Sequence, residues 1–123
     1  MEKVNLTQKL SLFTDYYAPK VVGELNDSQV KLVKVKGEFV WHHHDVEDEL
    51  FLILKGTLRI KYFDDSHERE LRIGEGEFVI VPHGVEHKPV ADEEVHLLLF
   101  EPKTTLNTGN LQNERTVAEL ERI

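Results

Sequence analysis

Three consecutive histidines, His42, His43 and His44, are the first feature of this sequence with chemical consequence. In a strand, successive side chains point to opposite faces. His42 and His44 then share a face, and His43 points away. Two imidazoles at that spacing lie about two rises of roughly 3.3 Å apart, within reach of one ion. Glu49 opens the next apolar run, after the polar loop Asp45-Val46-Glu47-Asp48, so Glu47 and Asp48 compete with it to complete a site. His87 stands in a further β-like run, just past the turn Pro82-His83-Gly84. Three neutral imidazoles and one carboxylate suit Mn, Fe, Co, Ni, Cu or Zn. With four protein ligands, a six-coordinate ion keeps two positions for water or substrate, which separates a reactive site from a closed structural one. The pattern His-x-His alone also fits a solvated edge cluster, so the surrounding elements must decide.

Those elements read as short strands broken by turn residues. The runs are Gln29–Lys36, Glu38–His44, Glu49–Leu54, Thr57–Phe63, Glu70–Ile73, Glu77–Val81, Val85–Val90 and Val95–Phe100. Strands this close together, with no helical pattern between them, predict an all-β sandwich or barrel over a single domain, residues 1–123. Leu6, Leu10 and Phe13, and again Val117, Leu120 and Ile123, have helical spacing, which predicts a short helix at each end. Two strands are apolar on both faces: Leu50, Leu52 and Leu54 alternate with Phe51 and Ile53, and Leu97 and Leu99 with Leu98 and Phe100. A surface strand should be polar on its outer side. The terminal segments or a second subunit must cover that face, and a homodimer is expected. The stretch from Glu101 to Asn110 reads as a surface loop.

Charge and composition narrow the partners. The net charge of −8 disfavours nucleic acid and anionic membrane. No cysteine is present, so a metal would be held by nitrogen and oxygen alone. Met1 to Leu10 lacks the apolar core of a signal peptide, and no run approaches a membrane span. A cytoplasmic location is expected.

The full spacing resembles the two motifs of the cupin superfamily. Gly37, four residues, His42, one, His44, four, Glu49, six, Gly56 is similar to the first motif. Gly76, five residues, Pro82, one, Gly84, two, His87 is similar to the second. The sequence departs from the pattern in having four residues after Gly37 where five are common, and Ala91 where Asn is common; neither removes a ligand. The resemblance implies a jelly-roll barrel (a double-stranded β-helix), often dimeric, with short terminal segments. It also implies that His42, His44, Glu49 and His87 bind one divalent transition metal ion, Mn, Fe, Ni or Zn, which selects Glu49 over Glu47 and Asp48. The same parity puts Val40, Phe51, Ile53 and Val85 on the inner face.

Other polar residues carry less. His96 could point into the cavity, but a hydrogen-bonded core or interface histidine is favoured. His83 sits near the barrel mouth, His67 in a polar turn, and His43 is expected to pack beside Phe39 and Trp41. Arg59 and Lys61 should face solvent, opposite Leu58 and Ile60. The expected function is a metal-dependent enzyme on a small chelating, oxygen-rich molecule, anionic or otherwise, of dioxygenase, isomerase or decarboxylase type, with Glu49 as catalytic group. A non-catalytic binding or sensing module is the alternative, and a metal-free barrel with structural histidines the least favoured.

Overall fold

Aliphatic and β-branched residues at period two dominate the middle of the chain, and such residues fit a pleated, half-buried surface. The computed structural model describes residues 1–123 and turns them into eight strands after one short helix. The elements are α1 (Leu6–Leu10), β1 (Lys20–Leu25), β2 (Ser28–Glu38), β3 (Glu49–Lys55), β4 (Leu58–Asp64), β5 (His67–Ile73), β6 (Phe78–Val81), β7 (His87–Pro102) and β8 (Glu121–Arg122). β7 organises the rest. β2 pairs along one edge of it, from Ser28 opposite Pro102 to Glu38 opposite Val90. On its other edge, β4 pairs with the first part and β3 with the second. β5 then adds to β4 and β6 to β3. The sheet thereby curls into the jelly-roll barrel that the motif spacing implies.

One parity of each strand fills the barrel. Val33 and Val35, Phe51 and Ile53, Leu58 and Ile60, and Val95, Leu97 and Leu99 are all buried in one cluster. Burying such a side chain contributes roughly 1.5–3 kcal/mol, so this alternation fixes the register. Gly56 makes the β3–β4 turn possible. It sits at φ +88°, and a Cβ there would lie 2.9 Å from the Glu94 carbonyl oxygen. Arg59 points out of the barrel as expected, bonded to Asp92 and Glu70.

Several expected boundaries are corrected. The runs expected at Val85–Val90 and Val95–Phe100 merge into the single strand β7, which starts at His87, with no turn at Ala91–Glu94. Ala91 and Val95 are buried there, while the consecutive Asp92 and Glu93 are both exposed where the register against β2 shifts, so a bulge within the strand imitated a turn. The expected strand Glu38–His44 is cut short. β2 ends at Glu38, and beyond it only His42 makes a bridge, to His87. This also corrects the expected face of Phe39, which is buried against Tyr17 and His42 rather than beside His43. Trp41 packs on Phe63. β5 starts at His67, because Asp65 and Ser66 take positive φ and close a two-residue hairpin. At the N-terminus the short helix forms, capped by the Asn5 side chain accepting from the Gln8 amide. At the C-terminus no helix forms. Glu121–Arg122 instead run parallel to β1, a strand that the sequence reading did not identify.

The outer face of β3 and the second half of β7 is apolar, as anticipated. Leu50, Leu52, Leu54, Leu98 and Phe100 are half-buried, and on the neighbouring β6 Phe78 is 60% and Ile80 53% exposed. Leu6 and Leu10 of α1 reach the Leu54 end of this face. No helix is long and apolar enough to cross a membrane.

Candidate metal centre

Two backbone hydrogen bonds bring the histidine run to His87. The His42 amide donates to the His87 carbonyl at 3.0 Å, and the His87 amide donates to the His42 carbonyl at 2.9 Å. This reciprocal pair survives although the chain around His42 has left the sheet. Alternation persists locally: His42 and His44 are each 3% exposed, while the His43 side chain is half-buried and points outward. Glu49, the first residue of β3, is 4% exposed, and His87, the first of β7, is fully buried. One ligand-type atom from each of these four residues lies within 4.8 Å of the others.

The hydrogen bonds around the rings choose which nitrogen faces inward. His42 Nδ1 donates to the Val40 carbonyl and His87 Nδ1 to the Val85 carbonyl, each at 2.8 Å. With the proton held at Nδ1, each Nε2 keeps a lone pair turned into the barrel. His44 Nε2 stands 2.8 Å and His87 Nε2 3.4 Å from Glu49 Oε1. None of these three buried atoms makes an aligned hydrogen bond. Buried polar atoms are almost always satisfied, so three orphans facing one point suit a cation there. The donor set of imidazole nitrogens and a carboxylate oxygen fits a divalent transition ion.

The electrostatics agree. Burial pushes the Glu49 carboxyl up, but the imidazoles of His44 and His87 outweigh it and hold the carboxyl well below its usual range. Burial, followed by the neighbouring His87, lowers His42 to about 4, so its ring is a neutral ligand near neutrality. Outside the cluster, burial and then Glu49 raise the Glu101 carboxyl well above its usual range, with Lys31 opposing.

Two cavities flank the cluster. One, about 50 Å³, is lined by His42, Glu49, Phe39, Phe51, Lys31 and Glu101 among others. The second, about 220 Å³, is apolar, with Ile60, Tyr62, Val79 and Val85 beside His87. Of the residues expected on the inner face, Phe51 and Val85 line these cavities, while Ile53 is buried in the core and Val40 packs against it.

The competing residues lie elsewhere. Glu47 accepts from the Thr104 hydroxyl, and Asp48 accepts from both the amide and the ring of His83 at the surface. His83 is thus exposed and lines neither flanking cavity. His96 bonds Glu94 at 2.7 Å on the outer side of β7. His67 is exposed. Sequence reasoning missed Lys31 and Glu101. The signal was present, since Lys31 shares parity with Val33 and Val35, and Glu101 with Leu97 and Leu99. It also took Glu101–Asn110 for a surface loop. Thr105 and Thr108 are buried there, and Asn110 bonds the His43 backbone twice at 2.9 Å.

Comparison with known proteins gives a consistent picture. The family model described as "Cupin domain" matches residues 30–101. The crystal structure of a cupin-2 domain containing protein from Shewanella frigidimarina superposes with a TM-score of 0.77 at 45% identity, covering 81% of this chain and 94% of that one. The uncharacterized protein YdbB of Bacillus subtilis is 37% identical over 67 residues, 54% of this chain and 57% of that protein. The 3-hydroxyanthranilate 3,4-dioxygenase of Xenopus laevis is 25% identical over 101 residues, 80% of this chain and 36% of that enzyme. The chain thus spans 57% and 36% of these two relatives' lengths.

Proposed function

The chain belongs to the cupin domain family, and on that basis we propose that it is a metal-dependent enzyme acting on a small, chelating, oxygen-rich molecule. The observation that carries this is the set of unpartnered buried atoms, His44 Nε2, His87 Nε2 and Glu49 Oε1, converging inside a largely apolar barrel. His42, His44, Glu49 and His87 would hold one divalent transition ion, Mn, Fe, Ni or Zn. When bound, such an ion supplies Lewis-acid polarisation or, as iron or nickel, chemistry with O₂.

The chain's own residues perform the remaining work. The carbonyls of Val40 and Val85 fix the ring tautomers of His42 and His87. Phe39, Phe51 and Val85 keep bulk water from the site, which strengthens every charge interaction within it. Glu49 is proposed as the catalytic group as well as a ligand, because it is the buried carboxylate held ionised at the cluster. A substrate with adjacent oxygens complements a site whose ion and Glu49 sum to about +1. Dioxygenase, isomerase and decarboxylase chemistry all fit this description. The distant similarity to a 3-hydroxyanthranilate 3,4-dioxygenase favours the first.

Elemental analysis of protein purified without metal-affinity resin, alongside His87→Ala, tests the reading. About one equivalent of a transition metal, lost in the variant, is the expected result. No metal in the wild type, and no uptake of Mn, Fe, Ni or Zn, would refute it. Saturable metabolite binding without turnover would favour the non-catalytic sensing module instead.

We also propose a homodimer, supported by the apolar face that includes Phe78, Ile80, Leu52 and Leu98. Ile80→Lys should shift the wild-type sedimentation coefficient to that of a monomer. A cytoplasmic location is proposed from the absence of cysteine.

A further inference from the structure

β5 pairs only with β4, and β6 only with β3, so no ladder joins β5 to β6. The larger cavity beside the cluster, about 220 Å³, is lined from both sides of this seam. Ile60 and Tyr62 of β4 and Leu71 of β5 form one wall, Val79 and Val81 of β6 the other. Val85 and His87 complete the lining. The pairing registers explain the walls. Ile60 stands opposite Leu71, and Val81 stands opposite Glu49, so the β6 wall runs on to the metal cluster. Exposure falls in the same direction, from 42% at Leu71 to 3% at Ile60 and none at His87. The slot opens at the surface beside Leu71 and ends on His87.

The lining defines what fits. It holds no lysine, arginine or carboxylate, and its only polar side-chain groups are the Tyr62 hydroxyl and the His87 ring. A charged group placed there would lose hydration and gain no ionic partner. The hydroxyls of a polyol would mostly go unpaired, which is costly. A hydrocarbon gains in proportion to the area it buries. An apolar cavity of about 150 Å³ takes a benzene molecule, so this slot has room for a six-membered ring. The other cavity, about 50 Å³, does not.

We propose that the slot between β5 and β6 is a subsite for the body of the substrate, selecting chelating molecules whose remainder is an apolar ring over sugar acids and other polyols. The inference deepens, and rests on, the reading of the cluster as a metal-centred substrate site. The chelating head belongs to the cluster, and the ring lies between Ile60, Leu71 and Val79. No covalent bond changes in this step.

Acetohydroxamate and benzohydroxamate share a zinc-chelating head and differ in carrying a methyl or a phenyl group. Calorimetric titration of protein reconstituted with zinc should show benzohydroxamate binding about tenfold more tightly, or better. The double variant Leu71→Asn/Val79→Thr makes both walls more polar at nearly constant volume. It should bind benzohydroxamate about tenfold more weakly than the wild type and acetohydroxamate within about twofold, with zinc content maintained. Leu71→Asn alone alters an exposed position and leaves the packing at Val79 intact, and it should show a loss of about threefold. Equal binding of the two hydroxamates by the wild type, or an unchanged benzohydroxamate affinity in the variants, would overturn the proposal. Benzamide, which has the ring without the chelating head, reads the slot apart from the metal. On zinc-free protein its saturation-transfer NMR signal should be present with the wild type and weakened with the double variant. Protein that takes up no zinc yet gives this pattern would keep the subsite and lose the metal reading. Protein that takes up zinc and binds both hydroxamates alike would keep the metal reading and lose the subsite.

Discussion

Gly109 lies so close to the backbone of His43 that a Cβ on residue 109 would sit 2.1 Å from the His43 carbonyl oxygen. The same Cβ would be 3.1 Å from Cδ2 of His42, and Gly109 adopts φ +59°. The next residue secures the contact. The Asn110 amide donates to the His43 carbonyl, and Asn110 Oδ1 accepts from the His43 amide. The segment after β7 thus grips the one residue that separates His42 from His44. Gly109→Ala must displace that backbone, and a cost of about 2 kcal/mol or more is expected. Its metal retention against a chelator should fall with its melting temperature. Asn110→Ala removes a single side-chain bond, costs about 1 kcal/mol, and should weaken metal retention less.

Alkaline stability should depend on Tyr17. Its ring stacks on Phe39 at 4.7 Å, Phe39 meets His42 edge-on, and its hydroxyl donates to the Gly37 carbonyl. Burial pushes the Tyr17 hydroxyl up to about 12. In the unfolded chain it ionises near its ordinary value of 10.0. Below that pH both states keep the proton, so the stabilisation is fully present. Above it the unfolded state gains by releasing the proton, and stability is lost as pH rises from 10.0 to about 12. The total loss is about 3 kcal/mol. Tyr16 is also raised, by its hydrogen bond to Glu94, so absorbance titration should show a last step near 12 that belongs to Tyr17, and Tyr17→Phe should abolish that step and flatten the alkaline fall in melting temperature.

The two halves of the structure differed in how far the sequence disclosed them. Core strands were readable because apolar residues at period two must take one face. The parity of His42 and His44 was readable for the same reason. The turn at Ala91–Glu94 was not real, because Asp92 and Glu93 are exposed at a register shift within the single strand β7. Their polarity reports exposure rather than chain reversal. β1 escaped notice, since only Val21 and Val22 mark it and Gly23 interrupts the pattern. The C-terminal spacing of Val117, Leu120 and Ile123 looked helical, yet Leu120 lines the cavity and the Ile123 amide bonds the Val21 carbonyl. Such long-range closure is decided by the surface already formed, which local periodicity does not encode. Lys31 and Glu101 were passed over because charged side chains are rarely buried and Glu101 was read as the start of a surface loop.

His83 provides a contrast with the four clustered residues. It is exposed and spends its ring and amide on Asp48, whose carboxyl those bonds hold below its usual range. His83→Ala should leave metal content unchanged and alter stability by no more than about 0.5 kcal/mol, as expected of an exposed pair. Elemental analysis and a melting curve would check this directly. Metal loss in this variant would mean that the loop carrying Pro82 and Gly84 depends on the His83–Asp48 contact to seat His87.

Glu49→Gln separates the two roles proposed for Glu49. The amide keeps the shape of the side chain but brings no charge to the imidazoles of His44 and His87, which stand 2.8 and 3.4 Å from Glu49 Oε1. A ligand that binds only the folded state raises stability by about 4 kcal/mol at a thousandfold excess over its dissociation constant. A tenfold weaker constant in the variant would reduce that increment by about 1.4 kcal/mol, visible as a smaller metal-induced rise in melting temperature. This much is expected from loss of a charged ligand alone. The catalytic role is tested at metal concentrations that restore full occupancy. There the variant should still turn over substrate at least a hundredfold more slowly than the wild type, because the buried carboxylate that remains ionised at the cluster is gone. Wild-type turnover at full occupancy would leave Glu49 a ligand and nothing more.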